Sequence, residues 1–244
     1  MAEKKIIDVS QFNGHIVWSM VTPHVDGVII RAGYRGYGKA GTLNADPMFK
    51  ANITGAIKAG IPVGVYWCSQ AISDTEALAE ARYLHDLLKD YALDYPVYLD
   101  SEHMGPGASG REDKLGKARR TQYGKTFCKA MRDYGYTMGL YCSESWYADE
   151  IDGAAFAREG FTIWLAKYAS AKPRYAHDAW QYTDSGTVPG ITGKVDLNRF
   201  YREFGKEDYR GAVKTRFGFS EATMDYLAGY KYAEDLLKKL ATKG

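Results

Sequence analysis

Residues 95–102 read Tyr-Pro-Val-Tyr-Leu-Asp-Ser-Glu, an apolar run that opens on proline and closes on two acids. Valine, tyrosine and leucine at this density favour an extended strand, and proline is tolerated where a strand begins. Outward from this stretch the same texture recurs at 4–9 (KKIIDV), 27–32 (GVIIRA), 62–68 (PVGVYWC), 138–143 (MGLYCS), 162–167 (TIWLAK), 178–182 (DAWQY) and 195–198. Helical stretches separate several of these runs. Residues 73–91 open on Ser73-Asp74-Thr75-Glu76, which reads as a capping box. Ala77, Leu84, Leu87 and Leu88 follow at helical spacing. Residues 114–134 read as a basic helix that Gly135 stops.

Strands that alternate with helices predict right-handed β-α-β units and a parallel sheet. About eight strands in roughly 200 residues favour closure into a barrel, and the helices between the last strands look short or absent. The expected fold is therefore an irregular α/β barrel over residues 1–204, followed by a helical extension at 205–244. In that extension Ser220 can cap a helix, and Tyr226, Tyr230, Ala233, Leu237 and Leu240 recur in a 4-3-4-3 pattern, the spacing of a heptad seam. Gly229 interrupts the pattern, so two short helices fit it as well. Packing on the barrel, dimerisation through the helix and wall anchoring are the roles left open for this segment.

Net charge is +2 over 244 residues, too balanced to argue for a nucleic-acid partner. No stretch approaches the roughly 20 apolar residues of a membrane span. The start, MAEKKIIDVS, lacks the apolar core of a secretory leader, so action outside the cell implies another route, such as release at lysis. Three cysteines, Cys68, Cys128 and Cys142, are too few and too widely spaced for a disulfide framework or a zinc site, and buried thiols are expected. The five histidines show no metal-binding spacing, so neither a metal nor another cofactor is expected. The chain holds 20 Tyr and 5 Trp, side chains whose flat apolar faces and polar tips suit stacking on sugar rings.

Side chains at i and i+2 of a strand share a face, about 6.6–6.8 Å apart along the backbone, so Asp100 and Glu102 point the same way. At the carboxyl end of a barrel strand that face is the active-site face. Two carboxyls this close cannot both ionise freely, so one keeps its proton towards neutrality. Such a pair can protonate the leaving oxygen of a glycosidic bond and stabilise the developing positive charge. A solvated strand end with two unrelated acids fits those two residues equally well. Asp8, in the first strand (IIDVS), and Asp196, in the last (KVDLN), change the weighing. First and last strands are neighbours in a closed barrel, and four acids at one end would repel one another without benefit to stability.

Over residues 4–201 the chain resembles glycoside hydrolase family 25, the lysozymes that cut bacterial peptidoglycan. The resemblance rests on eight elements in order: DVS at Asp8, IIRAGY at Arg31, GVYWC at Tyr66, YLDSE at Asp100 and Glu102, GLYCS at Tyr141, IWLAKY at Trp164, AWQYT at Gln181 and VDLN at Asp196. It implies a flattened barrel with fewer than eight helices. It further implies hydrolysis of the β-1,4 bond between N-acetylmuramic acid and N-acetylglucosamine, with bacterial cell-wall peptidoglycan as the partner. By position, Glu102 would be general acid and then base, and Asp100 would assist the substrate's N-acetyl group as it attacks. Asp8 and Asp196 would hold the sugar and set the field. Direct attack by a carboxylate stays open beside this route. Tyr66, Tyr141, Trp164, Gln181 and Tyr182 would line the cleft, and Arg31 would either join them or hold the acids by buried ion pairing. The glycine-rich run 33–38 reads as a mobile cleft loop with Tyr34 and Tyr37 as sugar contacts. A chitinase-like barrel is the nearest enzyme alternative, but Tyr95 and Tyr98 stand where its earlier acids belong. A silent carbohydrate-binding protein would lack one of the four acids.

Overall fold

The computed structural model describes residues 3–104, 107, 109–202, 204 and 209–242. Among these, nine strands form: β1 (Lys4–Val9), β2 (Gly27–Arg35), β3 (Leu43–Ala45), β4 (Val63–Cys68), β5 (Val97–Asp100), β6 (Met138–Ser143), β7 (Thr162–Ala166), β8 (Ala179–Gly186) and β9 (Val195–Phe200). They hydrogen-bond in the order β1-β9-β8-β7-β6-β5-β4-β2-β3, and β1 also pairs with β2. Eight strands thus close a barrel, while β3 turns back antiparallel along the end of β2.

The barrel is mixed rather than wholly parallel. The pairs from β1–β2 round to β7–β8 are parallel, but β9 runs antiparallel to both β8 and β1. The connection from Gly186 to Val195 is too short for the dozen or more residues a parallel crossover needs, so the chain returns as a hairpin. Substantial helices follow the early strands, at Phe49–Lys58, Asp74–Leu88 and Lys117–Asp133. Only the short Glu144–Asp149 and Gly153–Arg158 lie between β6 and β7, and none lies between β7 and β8. Gly135, at φ +97°, ends the Lys117–Asp133 helix in the left-handed conformation that glycine adopts without strain. Only half of the expected capping box forms. Ser73 Oγ accepts from the Glu76 amide, but the Glu76 carboxylate takes the Ile72 amide and Arg111 instead.

Period-two alternation sorts the strand residues into two cores. Ile7, Val28, Ile30, Val63, Val65, Val97, Leu99, Leu140, Ile163 and Leu165 face outward and pack under the helices. Their alternates Ile6, Ile29, Tyr98, Tyr141, Trp164, Ala179 and Phe200 fill the barrel interior. A Cβ on Gly139 would come within 2.4 Å of the Tyr98 ring, so the bare backbone there makes room for a large interior ring. The first half of the stretch expected as a mobile glycine-rich loop is instead strand: Gly33, Tyr34 and Arg35 pair with β3, and Arg35 is buried against Glu80 at 2.6 Å. All three cysteines are buried free thiols. No helix among the described residues is long and apolar enough to cross a membrane.

The chain divides into two compact units, Met1–Phe204 and Gly205–Gly244. Residues 205–208 lie outside the described residues. The second unit carries helices at Tyr209–Phe217, Glu221–Ala228 and Ala233–Thr242, and Ser220 caps the middle one through the Thr223 amide. Val213, Met224 and Leu237 are buried together, with Leu227 and Leu240 packed beside them. The continuous heptad seam does not form. The chain turns between Ala228 and Ala233, and Tyr226, which would head the seam, is 84% exposed.

Candidate active site

Four carboxyls converge on one cavity of about 160 Å³ at one end of the barrel: Asp8, Asp100, Glu102 and Asp196. Asp8 lies towards the end of β1 and Asp100 is the last residue of β5, while Glu102 stands two residues beyond that strand. Asp196 is only the second residue of β9. In a parallel strand that position would put it at the opposite end. The antiparallel course of β9 brings it beside Asp8, with the two as register partners. Tyr66, Tyr141, Trp164, Tyr168 and Gln181 complete the wall.

A hydrogen-bonded web fixes one side of this cavity. Gln181 Nε2 and Asn198 Nδ2 both donate to Asp8 Oδ2, at 2.9 and 2.8 Å. Gln181 Oε1 accepts from the hydroxyls of Tyr141 at 2.8 Å and Tyr168 at 2.9 Å. Trp164 Nε1 donates to Asn198 Oδ1 at 2.9 Å. Each amide therefore has a single sensible orientation, with nitrogen towards the acid and oxygen towards the aromatic donors. On the other side, the Cys68 thiol donates to Asp100 Oδ2 at 3.0 Å. Asp100 Oδ1 is buried with no donor among the described residues, and the Glu102 carboxyl lies within hydrogen-bonding reach of the Asp100 side chain. Two carboxyls can satisfy each other there only with a proton between them.

Electrostatics follow from this crowding. Burial, and then the nearby Glu102 charge, push the Asp100 carboxyl well above the ordinary aspartate range. Burial raises Glu102 too, against the lowering effect of its hydrogen bond with Asp100. Burial raises Asp8, while its bonds from Asn198 and Gln181 oppose the rise. Asp196 is pushed up to about 8 by burial and by Asp8 beside it. The site thus stores protons near neutrality, the condition for acid catalysis by a carboxyl. Among the described residues no group of three or more His, Cys, Asp or Glu side chains is arranged to hold a metal ion.

Of the twelve residues singled out from the sequence, eight line the cavity, and Arg31, Tyr182, Tyr34 and Tyr37 do not. Arg31 is buried behind it, with Nε on Asp46 at 2.7 Å and its guanidinium over the Phe12 and Tyr34 rings. Its ion pair is with Asp46 rather than with the four acids, although its charge favours the ionised forms of Asp100 and Glu102. Tyr182 sits on the opposite face of β8 from Gln181, against Trp180 and Arg199, as strand alternation requires. Tyr168, Asn198 and Cys68 escaped the sequence reading. Asn198 was signalled by its position two residues beyond Asp196, on the same strand face. Tyr168 follows the end of β7 and had no such periodic signal.

The model of the family described as glycosyl hydrolases family 25 matches residues 7–191. The chain is 25% identical over 200 residues to an autolytic lysozyme of Clostridium acetobutylicum, covering 80% of this chain and 55% of that protein. It is 29% identical over 209 residues to lysozyme M1 of Streptomyces globisporus, covering 80% and 66% respectively. It therefore spans between half and two-thirds of the length of these relatives. Among solved structures it is similar to the modular autolysin LytC from Streptococcus pneumoniae in complex with a synthetic peptidoglycan ligand. The TM-score is 0.70 at 28% identity, over 82% of this chain and 47% of that one.

Proposed function

The chain belongs to glycosyl hydrolases family 25, and from that premise we propose that it is a peptidoglycan hydrolase cleaving the β-1,4 bond between N-acetylmuramic acid and N-acetylglucosamine. The observation that carries this reading is the convergence of four proton-raised carboxyls with four aromatic rings in one cavity. Aromatic faces bind the apolar sides of sugar rings, and the carboxyls supply what an oxocarbenium-like transition state requires.

In the proposed reaction Glu102, the more accessible member of its pair, holds the proton and gives it to the leaving glycosidic oxygen. The carbonyl oxygen of the substrate's own N-acetyl group attacks the anomeric carbon as that bond breaks, and Asp100 orients the group through its N–H. Glu102, now a carboxylate, removes a proton from water, which opens the cyclic intermediate at the anomeric carbon and leaves its configuration retained. Asp100 is better suited to assisting than to attacking: it is 2% exposed, with one oxygen on the Cys68 thiol and the Glu102 carboxyl beside it. Asp8 and Asp196 hold the sugar through their carboxyl oxygens, which line the cavity beside the acid pair. The action would be on the bacterial cell wall, as the names of the similar lysozymes and autolysin suggest.

Glu102→Gln tests the assignment. It should lose most turnover, by about a hundredfold or more, while the far-UV spectrum and cosedimentation with purified walls stay unchanged. Turbidity loss at the wild-type rate would overturn it. Mass analysis of the new reducing ends should find muramic acid, and glucosamine ends would point to the other glycosidic bond.

A further inference from the structure

Four consecutive residues, Asp100 to His103, divide between two surroundings. Asp100 and Glu102 face the cavity, while Ser101 and His103 are held from behind by two adjacent acids of a later segment. Ser101 Oγ donates to Glu112 Oε1 at 2.9 Å and accepts from Trp146 Nε1 at 3.1 Å. His103 Nδ1 lies 2.6 Å from Asp113 Oδ1, with its ring edge-on to Trp146. We infer that Glu112 and Asp113 are positioning residues for the reaction proposed above, a clamp that fixes the carboxyl of Glu102 although it stands beyond the end of its strand.

The clamp is itself rigidly mounted. The Glu112 amide donates to Gln70 Oε1 at 3.1 Å, and its carbonyl accepts from Arg120 Nη2 at 2.9 Å. Arg120 is fully buried, reaches Glu150 with its other nitrogen at 2.9 Å, and lies over the Trp146 ring. Asp113 also accepts from the Gly110 amide at 2.6 Å, which ties it to its own turn. Ser101 is completely buried, so the web shuts water out directly behind the acid pair. The ladder alone cannot supply this hold. The β5 strand ends at Asp100, and beyond it the Ser101 amide makes one bond, to the Tyr141 carbonyl at 3.1 Å. Glu102 lies beyond the ladder and meets the sheet through its hydrogen bond with the Asp100 carboxyl. Its aim follows from Ser101 and His103 being pulled to the opposite side.

Burial pushes the Glu112 carboxyl up to about 8, against the Arg120 guanidinium 3.6 Å from its Oε1, and an amide in its place keeps the acceptor that Ser101 uses while removing the charge. This separates position from charge. On soluble peptidoglycan fragments, Ser101→Ala and Glu112→Leu should each lower kcat by about tenfold to a hundredfold, the scale of an ångström-level misplacement. KM should stay within about twofold, because the aromatic walls are untouched. Glu112→Gln should recover most of the loss, and Asp113→Ala should repeat the kcat loss through His103. Wild-type kcat in Ser101→Ala and Glu112→Leu, with only the melting temperature lowered, would overturn the inference. So would a loss confined to KM. Should Glu112→Leu fail to fold, Ser101→Ala decides, since it removes a single oxygen. Absence of turnover in the wild type would instead reject the proposed function. The clamp would then be read by carbon NMR of the carboxyls, where Ser101→Ala must shift the joint titration of Asp100 and Glu102; an unchanged titration would overturn it.

Discussion

Gln181→Leu offers the sharpest test of how the cavity is built, because one buried side chain serves three partners. Gln181 is 3% exposed. Its nitrogen supplies one of the two amide donors on Asp8 Oδ2, and its oxygen is shared by the hydroxyls of Tyr141 and Tyr168. Leucine has a similar volume, so the change removes hydrogen bonds with little cavity formation. Losing a bond to a charged acceptor costs about 1.5–3 kcal/mol, and stranding a buried hydroxyl costs about 1–3. Tyr168 is 54% exposed and can turn to water, so it adds little. The extra apolar burial returns roughly 1 kcal/mol. The net loss is about 2–5 kcal/mol, and at about 2–4 °C per kcal/mol for a barrel of this size the melting temperature should fall by about 4–20 °C. Thermal unfolding followed by near-UV circular dichroism measures it. The decisive comparison is with Tyr141→Phe. If the bond exists, the double variant should be clearly less destabilised than the sum of the two singles. Additivity to within about 0.5 kcal/mol, or a melting shift under about 2 °C for Gln181→Leu, would refute the reasoning.

Two further outcomes follow from the same structure. Asp196, held at about 8, lies well above an unfolded aspartate near ~3.9, so the folded chain keeps a proton that the unfolded chain releases. Its contribution to stability is then complete below about pH 4 and is lost as pH rises through about 8. Asp196→Asn should therefore melt above the wild type at pH 8–9, with the gain shrinking towards pH 5; a gain that grows on acidification would contradict this. The helical unit Gly205–Gly244 presents exposed Tyr226, Tyr230 and Tyr232, with a cavity of about 530 Å³ lined in part by the first two. A chain ending at Phe204 should keep its turnover on soluble fragments but cosediment less with walls. Undiminished retention, together with an unchanged gel-filtration volume, would leave that unit neither an anchor nor a dimer contact.

Much of the barrel was legible because strand alternation is a local property. Runs such as Pro62–Cys68 and Thr162–Ala166 carry β-branched and aromatic residues in a bounded segment, and the strand bounds read from them agree with the structure to within a few residues. The short late helices were legible for the same reason. The site was legible where it lies on strands: Asp8, Tyr66, Asp100, Tyr141, Trp164, Gln181 and Asp196 all occupy inward-facing strand positions. Tyr182 failed because it is one residue out of phase with Gln181, and a step of one reverses the face. Arg31 failed as a cavity-lining residue because Asp46 claims its guanidinium, and nothing local to either residue announces that pairing.

By itself, then, the sequence determined the eight strands of the barrel though not the short β3, which of their residues point inward, and that acids stand at the ends of three of them. These follow from steric propensity and a period of two, which need no knowledge of distant neighbours. Only the tertiary structure decided that the last strand runs antiparallel, which carries Asp196 to the same end as Asp8. It alone decided that Glu112 and Asp113 lie behind Ser101 and His103. It also decided that burial raises all four carboxyls above their ordinary range. Direction, distance and burial depend on chain closure and on which groups exclude water together, and neighbouring residues in a sequence do not carry that information.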